Sequence, residues 1–429
     1  MINSVILKSL IDISKDGEWG KGEQFDKSVK MAVIRGTDFE KVRKGEIEDL
    51  PIRYIPKRIA DRKILKPNDI LLETAGGSKN RPTGRSLFIN PSIVYKSELP
   101  LICASFSRFI RINPKRANSN YLFWQLQYLY HAGYLLQYHT QHTGVARFQY
   151  TVFSENEPLY LPPLPIQNKI ASILSAYDDL IENNTRRIKI LESMAQTIYQ
   201  EWFVKFRFPG HEQVNMVESE LGLIPEGWEV TKVTDAVLVN PKTQVPKQGQ
   251  KPFVPMGSLS TDSMLINDIE SRTSNSGAKF KNHDTLLARI TPSLENGKTG
   301  YVQFLPSNDS VACGSTEFIV LRSKTLCSEY VYLLARSDDF RENAIKSMTG
   351  SSGRQRVQVG CFETFLIAHP DSNTIQKFSE IVSPLFRQIY VLSEKNINLH
   401  KTRDLLLPKL ISGQIDVENL NIDTGELAA

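Results

Sequence analysis

The sequence predicts a mixed α/β protein built by tandem duplication: two sheet-containing domains related by a pseudo-twofold and joined by two long antiparallel coiled-coil helices. Three observations predict it. Two stretches carry apolar residues spaced by alternating threes and fours. A set of landmarks outside them recurs roughly 206 to 216 residues apart, far beyond solenoid periods. Helix-start punctuation precedes each apolar stretch.

The first seam reads Ile170, Leu174, Tyr177, Ile181, Asn184, Ile188, Leu191, Ala195, Ile198, Trp202, the a/d pattern of a helix with one apolar stripe. The second reads Phe378, Val382, Leu385, Ile389, Leu392, Asn396, Leu399, Arg403, Leu406, Leu410. Paired antiparallel with ends flush, Ile170 meets Leu410, Trp202 meets Phe378, and Asn184 falls opposite Asn396. A buried Asn in a seam costs stability but selects register, because a slip leaves its amide facing leucine without a partner. The alternative is that each Asn is a tolerated defect facing water. Pro162-Pro163-Leu164-Pro165 precedes the first helix and His369-Pro370-Asp371-Ser372-Asn373 the second, giving Pro near N1 in one and N-cap candidates in the other. Pro408 is expected to weaken or end the second helix near that point. At about 1.5 Å rise per residue, either helix makes a rod of roughly 50 Å.

Asn68-Asp69-Ile70-Leu71-Leu72 recurs as His283-Asp284-Thr285-Leu286-Leu287, each followed by a Gly/Pro-containing stretch ending in Thr83-Gly84 or Thr299-Gly300. Arg108-Phe109-Ile110-Arg111 parallels Glu317-Phe318-Ile319-Val320, and Tyr121-Leu122-Phe123-Trp124 parallels Tyr330-Val331-Tyr332-Leu333. His142-Thr143-Gly144 with Arg147 and Gln149 parallels Met348-Thr349-Gly350 with Arg354 and Gln355. The repeated order is strand, loop, strand, short helix. The chain divides into a domain at 1–160, a helix at 165–206, a second domain at 215–370, a second helix at 374–411 and a tail at 412–429.

Composition bounds the chemistry. With 429 residues and 41% apolar content, each half can bury a core. No run approaches the ~18 apolar residues of a membrane span, and no signal peptide opens the chain, so no membrane partner and a cytoplasmic location are expected. Cys103, Cys313, Cys327 and Cys361 lack C-x-x-C spacing and read as buried free thiols. No metal set is visible, His139 and His142 having no further ligand at suitable spacing. Asn113-Pro114-Lys115-Arg116 and Asn240-Pro241-Lys242-Thr243 lack the second Pro and the aromatic residue that would hold a flipped adenine, and read as turns. No phosphate-binding G-x-x-x-x-G-K-[ST] loop occurs, and Asp49 with Asp61-Arg62-Lys63 reads as a solvated charged segment. The chain is expected to be non-catalytic and to bind no cofactor.

The net charge of +5 is too mild to imply nucleic acid alone, but the cations cluster. The loop from Gly76 to Arg85 places Lys79, Asn80, Arg81 and Arg85 on flexible backbone, with Arg and Asn able to contact guanine and adenine edges bidentately. Its counterpart offers Arg289, Thr291, Asn296 and Lys298, and the later matched segments offer Arg147 and Gln149, then Arg354, Gln355 and Arg356. Two solvated loops between strands remain the alternative, and the matched Arg/Gln pairs could serve folding of the turn.

These residues resemble the specificity subunit of type I restriction-modification systems across essentially the whole chain. The resemblance is carried by Leu161-Pro162-Pro163-Leu164-Pro165-Ile166-Gln167 before the first helix, Trp202-Phe203-Val204-Lys205-Phe206 after it, Ile224-Pro225-Glu226-Gly227-Trp228 opening the second half, Arg289 to Gly297, and Leu407-Pro408-Lys409-Leu410-Ile411-Ser412-Gly413. It implies two target-recognition domains, each reading half of a split double-stranded DNA site, and helices that act as a spacer. It also implies two adenine-N6 methyltransferase subunits and restriction/translocase subunits as partners, which would use S-adenosylmethionine, ATP and Mg. Ala368-His369-Pro370-Asp371 departs from the proline-rich run of the family, leaving the start of the second helix and any partner contact there in doubt. A stand-alone DNA-modifying enzyme is opposed by the missing motifs, and a protein-binding scaffold by the paired basic loops. If Arg81 or Arg354 reads a base, its replacement by Ala relaxes sequence preference by about 1 to 3 kcal/mol, whereas equal weakening on all sequences assigns it to phosphate; binding to a panel of DNA sequences distinguishes the two.

Overall fold

A computed structural model of the chain describes residues 3–76, 81–141, 145–351 and 353–422. It forms two compact units, unit 1 from 1–183 with 396–429 and unit 2 from 184–395. The chain passes between them at two points, each inside a long helix: α1, Leu164–Tyr199, and α2, Ser372–Ile411. Each unit therefore takes a half of both helices, and Val417 of the tail packs in the core of unit 1.

In unit 1 the strands β1 (Ile11–Asp16), β2 (Ile70–Glu73), β3 (Ser86–Phe88) and β4 (Ser107–Ile112) form an antiparallel sheet in the order β1-β4-β2-β3. In unit 2 β5 (Val237–Val239), β6 (Thr285–Ala288), β7 (Thr299–Tyr301) and β8 (Phe318–Ser323) repeat it in the order β5-β8-β6-β7. Each unit adds a second sheet with one parallel pair, Ser28–Ile34 beside Leu101–Cys103 and Lys251–Val254 beside Val311–Gly314. The matched Tyr121 and Tyr330 stretches lie on helices Ser119–His131 and Ser328–Arg336, with both tyrosines buried. Among the four cysteines, all free, Cys103 and Cys313 are buried and Cys327 and Cys361 are half-buried.

The same ion pair lies under each main sheet. Arg111 from β4 grips Asp69 through Nε at 2.8 Å and Nη2 at 2.7 Å, and Arg322 from β8 grips Asp284 at 2.7 Å through both nitrogens. Both carboxylates have 0% side-chain exposure. Each also accepts the backbone amide three residues earlier, from Lys66 or Lys281, closing a turn whose third residue is left-handed, Asn68 at φ 69° and His283 at φ 70°. Burial pushes the Asp69 carboxyl up, and Arg111 opposes that shift.

These pairs correct the alignment of the repeat. Ile70 lies across from Ile110 and Thr285 from Leu321, so Arg111 matches Arg322, and Phe109 matches Val320 rather than Phe318. Likewise Ser86, opposite Leu72, matches Thr299, opposite Leu287, so Gly84 at φ 98° corresponds to Gly297 at φ 78°, not to Gly300. The segment between β2 and β3 is two residues longer than that between β6 and β7, which shifts the Thr-Gly landmarks.

Within each unit the helix halves run antiparallel. In unit 1, Ile170, Ala171 and Leu174 share a core with Leu407, Leu410 and Val417. In unit 2, Trp202 and Phe203 lie 5.8 and 4.8 Å from Phe378, centroid to centroid. Asn184 is buried, and Asn396 Nδ2 donates to the Ile181 carbonyl at 3.4 Å, within one turn of Asn184 in sequence. Arg403, the charged seam residue, is matched by Asp178 of α1, which also accepts Arg43 Nε at 3.0 Å.

The helix ends differ from expectation in two places. The α-helix of α1 stops at Tyr199 and continues as a π-turn, Gln200–Val204, before Phe206 turns left-handed at φ 57°. Helix α2 does not end at Pro408. It runs through both Pro384 and Pro408, neither of which has an amide to donate, and ends at Ile411, followed by Gly413, φ 76°, whose N–H donates to Leu410 O at 3.3 Å. At its start Asp371 caps, accepting from Thr374 N at 3.0 Å and Thr374 Oγ1 at 2.6 Å. Asp69→Asn is expected to cost about 3 to 5 kcal/mol by leaving Arg111 unpaired, with most of the loss recovered when Arg111→Met removes the orphaned charge; denaturant unfolding measures both.

Candidate nucleic-acid interface

In each unit two of the sequence-predicted segments come together through one set of backbone bonds. In unit 1 Phe148 N donates to Thr74 O at 2.9 Å and Gly76 N to Ala146 O at 3.1 Å. In unit 2 Val357 N donates to Arg289 O at 2.9 Å and Thr291 N to Gln355 O at 3.1 Å. The residue between the bonded positions is an arginine in both, Arg147 bridged to Ala75 and Arg356 bridged to Ile290. The equivalence is thus Arg147 with Arg356, and Gln149 with Gln358, beyond the pairing with Arg354 and Gln355 expected from the landmarks. Gln358 was not among the expected residues because Thr349 lies across from Arg356 as Thr140 lies across from Arg147, so the Thr349 landmark matches Thr140 and not Thr143.

A cavity of about 600 Å³ opens beside this strand in unit 1, lined by Arg147, Gln149, Arg108, Phe106 and Tyr150. Arg108 lies 4.5 Å over the Tyr150 ring, donates to Ser14 Oγ at 3.0 Å and pairs with Asp16 at 2.7 Å. Phe106 is 57% exposed, an unusual position for a phenyl ring and one suited to stacking. In unit 2 a cavity of about 510 Å³ is lined by Arg289, Lys242 and Lys279 together with Asn240 and Thr316, with no carboxylate in its lining among the described residues. Lys242 belongs to the Asn240-Pro241-Lys242-Thr243 turn, in which Asn240 at φ 50° accepts Val320 N through its side chain. The segment is a turn as expected, and the turn brings Lys242 to the cavity. One buried guanidinium Nε in each cavity, of Arg108 and of Arg289, has no hydrogen-bond partner among the described residues.

The other predicted residues divide. Arg81, Arg354 and Asn296 are exposed, and Thr291 is half-buried with its Oγ1 accepting Gln355 N at 3.1 Å. Lys79, Asn80 and His142 lie outside the described residues. Arg85 is taken into the fold by Glu73, at 2.7 Å to Nη2 and 3.0 Å to Nε, and donates to Gly36 O at 2.6 Å. Lys298, at the equivalent position before β7, donates to Met256 O at 3.2 Å. Gly36 and Met256 each open a short 3-10 turn, so this cation binds the same carbonyl in both copies and its repetition reflects folding. His139 Nδ1 is engaged by Thr83, and among the described residues no group of three potential ligands could hold a metal.

Residues 4–193 and 225–401 match the family described as type I restriction modification DNA specificity domain. The chain belongs to that family. As a specificity subunit it recognises DNA, is non-catalytic, and associates with the other subunits of a type I restriction-modification complex. The MjaIX specificity subunit of Methanocaldococcus jannaschii is 27% identical over 309 residues, 69% of each chain. The EcoEI specificity subunit of Escherichia coli is 30% identical over 203 residues, 46% of this chain and 34% of its own. The crystal structure of a type I system S subunit from M. genitalium superposes with a TM-score of 0.56 at 14% identity, covering 96% of each chain, and shares the fold. No helix of the described residues is long and apolar enough to cross a membrane. Replacing Arg85 with Ala is expected to lower stability by about 3 kcal/mol, since Glu73 is left buried and unpaired, while the DNA sequence preference stays unchanged; a melting curve and a binding panel on one preparation check both halves.

Proposed function

We propose that each unit reads one half of a bipartite double-stranded DNA site, that α1 and α2 set the distance between the halves, and that two methyltransferase subunits dock on this chain. The complex works in the cytoplasm. Restriction/translocase subunits join it, and S-adenosylmethionine, ATP and Mg are used by those partners. The observation that carries this reading is the duplicated juxtaposition of an exposed arginine strand with the loop leaving β2 or β6, beside a cation-lined cavity in each unit. Two copies of one DNA-facing arrangement in a single chain suit a site with two specific parts and an unread middle.

The spacing role follows from the connections. Both crossings between the units lie inside continuous helices of 36 and 40 residues, and a helix transmits a length change of about 1.5 Å per residue. Inserting one heptad into each helix adds roughly 10 Å, about three base pairs at the ~34 Å and ~10 base pairs of a DNA turn. Genome-wide mapping of methylated adenines is expected to give a two-part motif for the native complex, and the same half-sites with a spacer about three base pairs longer for the insertion variant. An unchanged spacer would overturn the ruler role.

A further inference from the structure

The two readers differ at one equivalent position, and the difference has chemical consequences. Thr74 N donates to Phe106 O at 2.9 Å and Arg289 N to Glu317 O at 3.0 Å, so Phe106 and Glu317 occupy the same place beside the arginine strand. In unit 1 the residue at that place is Phe106, and among the described residues Asp16, the carboxylate that lines the cavity with Arg147, pairs with Arg108 instead. In unit 2 the neighbour of Arg356 is a carboxylate. Arg356 Nε lies 3.0 and 3.1 Å from the two oxygens of Glu317, and Nη2 lies 2.8 Å from Oε1.

We infer that Arg356 reads a guanine in the half-site of unit 2, with Glu317 as the positioning residue that directs it there, and that Arg147 binds backbone phosphate in unit 1. This rests on the two-reader proposal above. The pair engages the Nε–Nη2 side of the guanidinium and leaves Nη1 and the outer hydrogen of Nη2 as two parallel donors, the end-on geometry that matches guanine O6 and N7. The Arg356 hydrogen bonds hold the Glu317 carboxyl below the usual carboxylate range, so it is ionised at neutral pH and the pair carries almost no net charge. A phosphate approaching it meets the Glu317 charge as well as the Arg356 charge, whereas a neutral base edge with two acceptors loses nothing by that neutralisation. The pair lies at the surface, with side-chain exposures of 45% and 23%, where ion pairs contribute little to folding. Its effect is to fix the direction of a long side chain before DNA arrives. Arg147, whose side chain has no ion-pair partner among the described residues, keeps its charge unneutralised and its rotamer freedom, the properties of a phosphate contact.

The test uses the full chain assembled with its methyltransferase partners, mapping the methylated motif and measuring binding to DNA panels at several salt concentrations. Glu317→Gln and Arg356→Lys are each expected to lower discrimination at a single G·C pair of one half-site by roughly tenfold or more, leaving the other half-site unchanged. Arg147→Ala is expected to weaken binding to all sequences alike and to reduce the salt dependence by about one counterion. A wild-type motif with no required guanine in either half would overturn the inference. So would a Glu317→Gln complex, folded by its melting temperature, that keeps the full motif, or that binds every sequence more tightly with steeper salt dependence, which would make Glu317 a charge gate instead. A wild-type complex that modifies no two-part motif defeats the two-reader proposal itself, a result distinct from these.

Discussion

The carboxylate–guanidinium pair under each main sheet, Asp69 with Arg111 and Asp284 with Arg322, is the constraint on which the geometry above it depends. Each joins the residue just before the central strand, β2 or β6, to the last part of its neighbour, β4 or β8. A carboxylate with no exposure needs its partner, so a slipped register would bury two charges apart. The register fixed there runs along the strand to its far end, where Ala75 and Ile290 receive Arg147 and Arg356. Which side chain stands beside those arginines, Phe106 or Glu317, is settled by the same register. The positions beside those arginines therefore match in the two units while the side chains on them differ.

The duplication separates residues that repeat because the fold needs them from residues that repeat in place but differ in chemistry. Arg85 and Lys298 belong to the first kind: each closes its strand onto the carbonyl of a 3-10 turn. Arg147 and Arg356 share a position and a side chain, yet the place beside the strand holds Phe106 in one unit and in the other Glu317, which pairs with Arg356. A repeated cation is thus weak evidence of DNA contact unless its partner is known as well. In unit 1 the arginine that is tied down within the cavity is Arg108, through Asp16, Ser14 and Tyr150.

Much of the architecture was legible in the sequence because helical periodicity is local. The two seams, the duplication and the matched tyrosine helices follow from spacing alone, and Asp371 among the N-cap candidates proves to be the capping residue. What was not legible depends on partners distant in the chain. Nothing near Arg85 announces that Glu73 and the Gly36 carbonyl claim it, and nothing near Arg403 points to Asp178, 225 residues away. The landmarks slipped by two or three residues because the segments between strands differ in length, and alternation of side chains along a strand looks the same after a shift of two. Pro408 stands in the last turn of α2, which ends at Ile411. A proline in the last turn of a helix removes one amide bond from a segment already packed through Leu407 and Leu410, and packing prevails.

The division of the chain has a consequence for the order in which the protein can be made. Unit 2 is one continuous segment, 184–395, and can close its core as soon as that segment has left the ribosome. Unit 1 begins first but finishes last, since Leu407, Leu410 and Val417 complete the core that Leu7 and Leu10 help to start. A product halted after unit 2 would hold one closed core and one open core, with apolar surface exposed for proteases to find.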